Sequence, residues 1–346
     1  MNTDHLSLVE QLEKLRITAA SDIPPHEFLF QWNGTPCFAR GELVAITGKA
    51  KSGKTYLNSI LMAAAGYPNN CSVLSNDQSI GFSRIQEVPY RVLWIDTEQS
   101  EDTTCEILRD RISVMIGSPA SDELFHVFNM RQVQWQDRIG LILSAIAICQ
   151  PDLVIFDGVR DVVDDINDYA EAQRIIGQLL AVASSFRPCI VCVLHQNKAV
   201  EDKTLRGALG TELQNKSYET YECSKDPDTR IFTIRQIATR KYDLPNKIQF
   251  CVTPQGLPIP CYSQEEDTPD VNEIFRTSMM GHSEMRAGAL KAQVRMRYRI
   301  TNDQTYGALL GQAMRTGVLS RRQVSDKEVY YLPGPNMYEQ ELDFGG

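Results

Sequence analysis

The sequence contains no apolar run of the roughly 18 to 20 residues that a bilayer span needs. Its first residues, MNTDHLSLVEQLEKLR, are polar and periodic. Neither a membrane anchor nor a signal peptide is expected, and the chain is placed in the cytoplasm. Histidine is scarce, and the five residues are too scattered to suggest a zinc site. Nine cysteines, an odd number over 346 residues, do not suit a disulfide framework and fit a reducing compartment. Cys189 and Cys192 form a CxxC inside the apolar stretch CIVCVL. Residues three apart on a strand face opposite sides, which disfavours a shared metal or redox role. Positive charge is also short overall: a net charge of −9 argues against indiscriminate nucleic-acid binding by the whole surface.

The charge is unevenly spread. Residues 276–322 carry nine Lys/Arg against Glu284 and Asp303, a net +7 that leaves −16 for the rest. The pattern is that of a basic module attached to an acidic core. Length allows one large core and one small module. Residues 1–40 read as an N-terminal helix and an irregular lead-in. From 41 to 255, apolar strands (Leu43–Thr47, Val92–Asp96, Leu153–Asp157, Ile190–His195) alternate with helical patterns. That alternation predicts an α/β fold with a mainly parallel, doubly wound sheet, extended by antiparallel strands near 231–237 and 247–252. Residues 256–270 have linker composition. Residues 271–333 predict three helices and a β-hairpin, the winged-helix pattern, and 334–346 predict a disordered tail.

The strongest motif is Gly48-Lys49-Ala50-Lys51-Ser52-Gly53-Lys54-Thr55, followed by Tyr56. It matches GxxxxGK[ST] between an apolar strand and an apolar helix. Glycines let successive backbone N–H groups converge on phosphate oxygens, and the next helix presents its N-terminus to the same anion. The spacing implies ATP as ligand, with Lys54 on the β and γ phosphates and the Thr55 hydroxyl on Mg²⁺. Asp157, at the end of the strand Leu153–Phe156, reads as the Walker B acid holding Mg²⁺ through water.

Two further segments carry a family resemblance. Ile95-Asp96-Thr97-Glu98 resembles the RecA-type segment with the catalytic glutamate; Glu98 would activate water, with Asp96 as competitor. Val193-Leu194-His195-Gln196-Asn197-Lys198 resembles the sensor strand, where His195 or Gln196 would contact the γ-phosphate. With Arg40-Gly41-Glu42-Leu43, FDGVRD and Leu205-Arg206-Gly207-Ala208-Leu209-Gly210 in order, residues 25–255 look like the RepA-like branch of the RecA superfamily. They also resemble ATPases carried on mobile elements of Bacteroides-type bacteria with a C-terminal winged helix. The resemblance implies a homo-oligomer up to a hexameric ring, and DNA, single- or double-stranded, as partner beside other mobile-element proteins. It also implies a DNA-facing loop over 197–215 with Lys198, Lys203, Arg206 and Lys216, and Arg240 as a finger reaching a neighbour's site. Gly207 and Gly210 would let that loop move or mark an ordinary turn. The acidic run Asp161–Asp168 departs from a processive DNA motor, because like charge repels the DNA backbone.

In the basic module, Lys291 and its helix, Gln304 and Thr305 at the recognition-helix position, and Arg321 and Arg322 at the wing are the candidate DNA contacts. A protein-interaction domain is the competing reading. For the whole chain the alternatives are an ATP-hydrolysing DNA motor, an ATP-switched DNA-binding regulator, and a small-molecule kinase, for which no acceptor-pocket signal exists.

Overall fold

Strands apolar on both faces are stable only when helices cover both sides of their sheet. The computed structural model describes residues 8–32, 34–67, 81–196, 205–244, 247–261, 271–298, 303–325 and 328–337, with the side chains of 296, 303–305 and 308 left out. Its main sheet has nine strands among the described residues. Phe125–Asn129, Val92–Asp96, Leu153–Asp157, Cys189–His195, Leu43–Gly48 and Glu219–Lys225 lie side by side and parallel. Phe232–Thr239, Ile248–Val252 and Pro258–Pro260 continue the sheet antiparallel. This is the mainly parallel, doubly wound sheet that the RecA resemblance implies, with the Cys189–His195 strand between the P-loop strand and the Asp157 strand.

Side chains alternate between two cores. Val44, Ile46, Trp94, Ile155 and Val191 pack with the P-loop helix Lys54–Gly66 and with the helical run Glu101–Glu106, Ile107–Ile112 and Ser113–Ile116, whose middle part is π-helical. Leu43, Ala45, Ile95, Val154 and Phe156 pack with Trp135–Cys149, Tyr169–Phe186 and Gly207–Lys216. Cys189 belongs to the first core and Cys192 to the second, on opposite sheet faces. The registers pair Gly48 with His195, Val193 with Asp157, and Asp157 with Asp96. Four chemistry-bearing strand ends therefore finish on one edge, the carboxyl edge where open α/β sheets bind ligands.

Several elements differ from the sequence expectation. The lead-in to residue 40 is not irregular: Phe28–Trp32 and Thr35–Ala39 pair as a hairpin and Phe82–Arg84 adds a third strand. Gly34, at φ 83°, lies between the two strands. Pro258–Pro260 is a strand, not linker, and Cys261 just beyond it is disulfide-bonded to Cys251. Beyond 270, helices Val271–Ser278, Ala287–Tyr298 and Asp303–Arg315 precede strands Leu319–Ser325 and Glu328–Pro333. Met285–Arg286 adds a third strand, and Phe275, Leu290, Val294, Tyr306 and Tyr331 belong to a separate core. Of residues 334–346, expected as a disordered tail, Gly334 and Asn336 donate to the carbonyls of Val318 and Gly317 and Met337 is buried in that core, while 338–346 lie outside the described residues. No helix among the described residues is long and apolar enough to cross a membrane.

A buried carboxylate fastens the small sheet to the main one. Glu219 accepts the Phe38 N–H on both oxygens, at 3.0 and 2.9 Å, and the Tyr221 hydroxyl at 2.7 Å. The Tyr221 ring stacks on Phe38 at 5.0 Å. Burial pushes the Glu219 carboxyl up to about 7, against those hydrogen bonds. From its ordinary 4.5 up to about 7 the folded chain holds a proton that the unfolded chain has released. This group's contribution to stability therefore declines as pH rises through that window, by at most ~3 kcal/mol. Urea denaturation should show the native chain losing up to that amount relative to Glu219→Gln between about pH 5 and about pH 8. Parallel stability curves for the two chains would contradict the assignment.

Candidate nucleotide site

The P-loop is built from backbone that most side chains resist. Gly48, Lys51 and Gly53 have φ of 150°, 62° and 101°. At Gly48 a Cβ would fall 2.2 Å from the Cys223 carbonyl oxygen and 2.5 Å from Ser52 Oγ; at Gly53 it would fall 2.6 Å from the Phe232 ring. Both glycines are fixed by conformation and by close approach. The following helix opens at Lys54 with no side-chain cap and no acid in its first turn. Its first N–H groups carry the positive end of the helix dipole, open to an anion. The Thr47 and Ser52 hydroxyls and Asn58 Oδ1 are buried without a hydrogen-bond partner around the same edge. The unmet Thr47 and Ser52 hydroxyl donors beside this glycine loop fit a phosphate chain, whose oxygens accept.

Lys54 is buried, and its Nζ donates to the carbonyls of Gly48 and Lys49, at 3.0 and 2.9 Å. It lies 3.1 Å from His195 Nδ1, a contact in which that nitrogen serves as acceptor. His195 Nε2 lies 3.5 Å from Glu98 Oε1. Lys54, His195 and Glu98 thus form one chain across the sheet edge. Burial lowers the Lys54 ammonium below its ordinary range, while Asp157 and Glu98 work against that. The His195 contact holds the Glu98 carboxyl low. Asp157 is buried and accepts Asn58 Nδ2 at 3.0 Å. Burial, with Glu98 and Asp96 nearby, pushes its carboxyl up to about 7. Thr55 is half-buried on the first turn of the same helix. Among the described residues no group of three or more His, Cys, Asp or Glu could hold a metal. One hydroxyl and one carboxylate instead suit an ion that takes its remaining ligands from phosphate and water, the habit of Mg²⁺.

A family model described as AAA domain matches residues 13–201, more than half of the 346 residues. The chain belongs to that family. Family membership supports a P-loop ATPase and implies the use of ATP and usually Mg²⁺. The chain is also similar to the crystal structure of the RadB recombinase, at 18% identity and a TM-score of 0.46, covering 64% of this chain and 92% of that one. No curated protein matches the chain.

Within this AAA domain the structure separates residues that the sequence left as competitors. Asp96 accepts the Glu98 and Gln99 N–H groups at 3.1 and 3.0 Å and the Thr104 hydroxyl at 2.7 Å. It builds the turn that aims Glu98, with its lone pairs engaged. Gln196 turns away from Lys54 and donates to Glu222 at 2.7 Å, leaving His195 toward the phosphate loop. Tyr56 packs beside Phe232 and Phe250 under the Arg111 guanidinium, 4.1 Å from its ring centroid. Asn58 escaped the sequence reading, although a lone amide in the apolar helix LNSILMAAAG was the available signal.

Arg240 is not brought to this edge. Thr239, beside Arg240, pairs with Glu219 at the far end of its strand, whereas Phe232 reaches the P-loop. Arg240 is exposed and donates to the carbonyls of Ser217 and Asn215, at 3.3 and 3.2 Å. Arg206 is exposed, and its N–H meets the His195 carbonyl at 3.2 Å. Lys198 and Lys203 lie outside the described residues. Gly207 and Gly210 are packing glycines: added Cβ atoms would fall 2.7 Å from the Ile166 carbonyl oxygen and 2.5 Å from the Leu205 backbone. The acidic run after Asp157 has local work. Asp161 accepts the Thr97 hydroxyl, Asp165 the Asn167 N–H, and Asp168 caps Tyr169–Phe186. In the module, Lys291 faces the Tyr306 ring, Arg321 donates to Gln323, and Arg322 pairs with Glu284 over Tyr330. Gln304 and Thr305 lie on Asp303–Arg315, their side chains outside the description.

Because Asp96 acts through acceptor oxygens, Asp96→Asn should keep the turn and most ATP turnover. Asp96→Ala leaves the Glu98 and Gln99 N–H groups unmet, while the Thr104 hydroxyl keeps the Ser100 carbonyl, and should cost about 2–3 kcal/mol in denaturant unfolding. Full inactivation of a stably folded Asp96→Asn chain would return Asp96 to the list of bases.

Proposed function

We propose that this AAA-domain protein is a cytoplasmic, ATP-hydrolysing, DNA-associated ATPase of the RepA-like kind, serving replication, mobilisation or control of a mobile element. The observation that carries the ATPase half is the convergence of Lys54, His195, Glu98 and Asp157 on the P-loop edge. In this reading Lys54 releases the loop carbonyls and offsets negative charge on the β and γ phosphates. Glu98 orients water and takes its proton as the water oxygen attacks the γ phosphorus, and the bond to the β-γ bridging oxygen breaks. The products are ADP and phosphate. His195, touching both Lys54 and Glu98, reports whether the γ-phosphate is present. Thr55 and Asp157 would hold Mg²⁺, which supplies charge neutralisation on the phosphates. Completion by a neighbouring copy falls to Arg240, which would exchange two carbonyl bonds for a phosphate across an oligomer interface.

The DNA half rests on the basic module, read as a winged helix over 271–333 with Lys291, Gln304, Thr305, Arg321 and Arg322 toward DNA, on Lys198, which follows the sensor strand in sequence, and on Arg206, whose N–H meets the His195 carbonyl. The competing function is an ATP-switched DNA-binding regulator. It gains from the purified chain hydrolysing ATP without unwinding a duplex.

Each phosphate contacted lowers log affinity by about 0.9 per log unit of salt on B-DNA. Replacing Arg321 and Arg322 together by alanine should flatten that slope by up to about two units, with ATP turnover in the absence of DNA unchanged. Glu284→Gln, which frees Arg322 from its carboxylate partner, should tighten DNA binding at low salt. DNA affinity that ignores both salt and these substitutions makes the module a protein-interaction domain.

A further inference from the structure

Glycine at position 158 has no backbone reason to be there. It follows Asp157 in extended conformation, φ −179° and ψ 101°, which any residue can adopt. Its missing side chain is nonetheless filled. A Cβ at 158 would fall 2.6 Å from Glu98 Oε1, 3.0 Å from Glu98 Cγ and 3.1 Å from Glu98 Cδ. All three nearest atoms thus belong to the side chain assigned to water activation. We propose that Gly158 is a positioning residue, whose bare Cα is the seat on which the Glu98 carboxylate is held beside the phosphate loop. The proposal rests on the reading of Glu98 given above.

The backbone around this seat is stapled, so it cannot yield. The Thr97 N–H donates to the Asp157 carbonyl at 2.8 Å. The Thr97 hydroxyl lies 3.2 Å from the Asp157 carbonyl oxygen, 3.1 Å from that of Gly158 and 2.9 Å from Asp161 Oδ2. Asp96 fixes the Glu98 N–H from the other side. Strand ends locked together in this way leave the Glu98 side chain as the part that moves when a methyl group is added at 158. That side chain is 39% exposed and flexible, so it moves at little cost to the fold. Its movement breaks the approach of Oε1 to His195 Nε2, now 3.5 Å. A displacement on the order of 1 Å from the productive geometry costs up to about 100-fold in rate. Binding of ATP through the P-loop does not use this contact and should persist.

The test is a double-mutant cycle on the full chain, pairing Gly158→Ala with Glu98→Gln. ATP hydrolysis is followed under single-turnover conditions, where slow rates are resolved, and nucleotide affinity with a fluorescent ATP analogue. Gly158→Ala alone should slow hydrolysis about 10- to 100-fold with affinity changed by no more than about twofold. In the Glu98→Gln background it should slow hydrolysis no further, because its effect passes through Glu98. Equal losses in both backgrounds, or weakened nucleotide binding, overturn the proposal. Gly158→Ala at parental speed beside an inactive Glu98→Gln chain overturns it alone, whereas a normally active Glu98→Gln chain overturns the reading of Glu98 and the proposal with it. If Gly158→Ala does not fold, Gly158→Ala with Glu98→Ala removes the contacted atoms. Recovery of folding and nucleotide binding in that chain supports the seat, and failure to recover overturns it.

Discussion

A buried ammonium facing buried carboxylates is the constraint around which the site is organised. Lys54 lies at the edge of the sheet with Asp157 and Asp96 buried nearby and Glu98 partly exposed above them. An unpaired charge in such surroundings is expensive, so each group is either hydrogen-bonded or shifted toward neutrality. Lys54 is held by two loop carbonyls and His195, and Asp96 by two N–H groups and a hydroxyl. Asp157 has one amide donor and is the carboxyl pushed up to about 7. Of the two buried acids it is the less satisfied, and a divalent cation would favour its ionisation.

This electrostatic arrangement depends on the topology. Gly48, His195, Asp157 and Asp96 meet because their strands are parallel neighbours in register. A one-residue slip in any strand would send its end residue to the opposite face. The two flanking cores make such a slip costly, since each strand contributes fully buried side chains to both. The precision of the site therefore comes from apolar packing that touches no ligand.

Much of this was legible in the sequence. Glycine spacing named the phosphate loop because each glycine answers a local steric demand, and the apolar strands announced a sheet covered on both sides. What could not be read was set by contacts between distant segments. Glu219–Lys225, ETYECSK, is too polar to announce a strand that lies beside the P-loop strand. Asp96 and Glu98 are equivalent on an extended chain, and only the turn that Asp96 closes with Thr104 gives them different surroundings. His195 and Gln196 are distinguished by Glu222, which takes the glutamine from a neighbouring strand. The acids from 161 to 168 looked like a repulsive surface, yet Asp161, Asp165 and Asp168 fasten turns and a helix start.

The central claim is that Glu98 makes the difference between holding ATP and hydrolysing it. The most direct measurement takes nucleotide affinity and hydrolysis rate on the same preparation of Glu98→Gln, a change that keeps shape and removes the base. The account predicts affinity within a few-fold of the parent and hydrolysis slower by about 100-fold or more. Parental turnover by a folded, ATP-binding Glu98→Gln chain would contradict it.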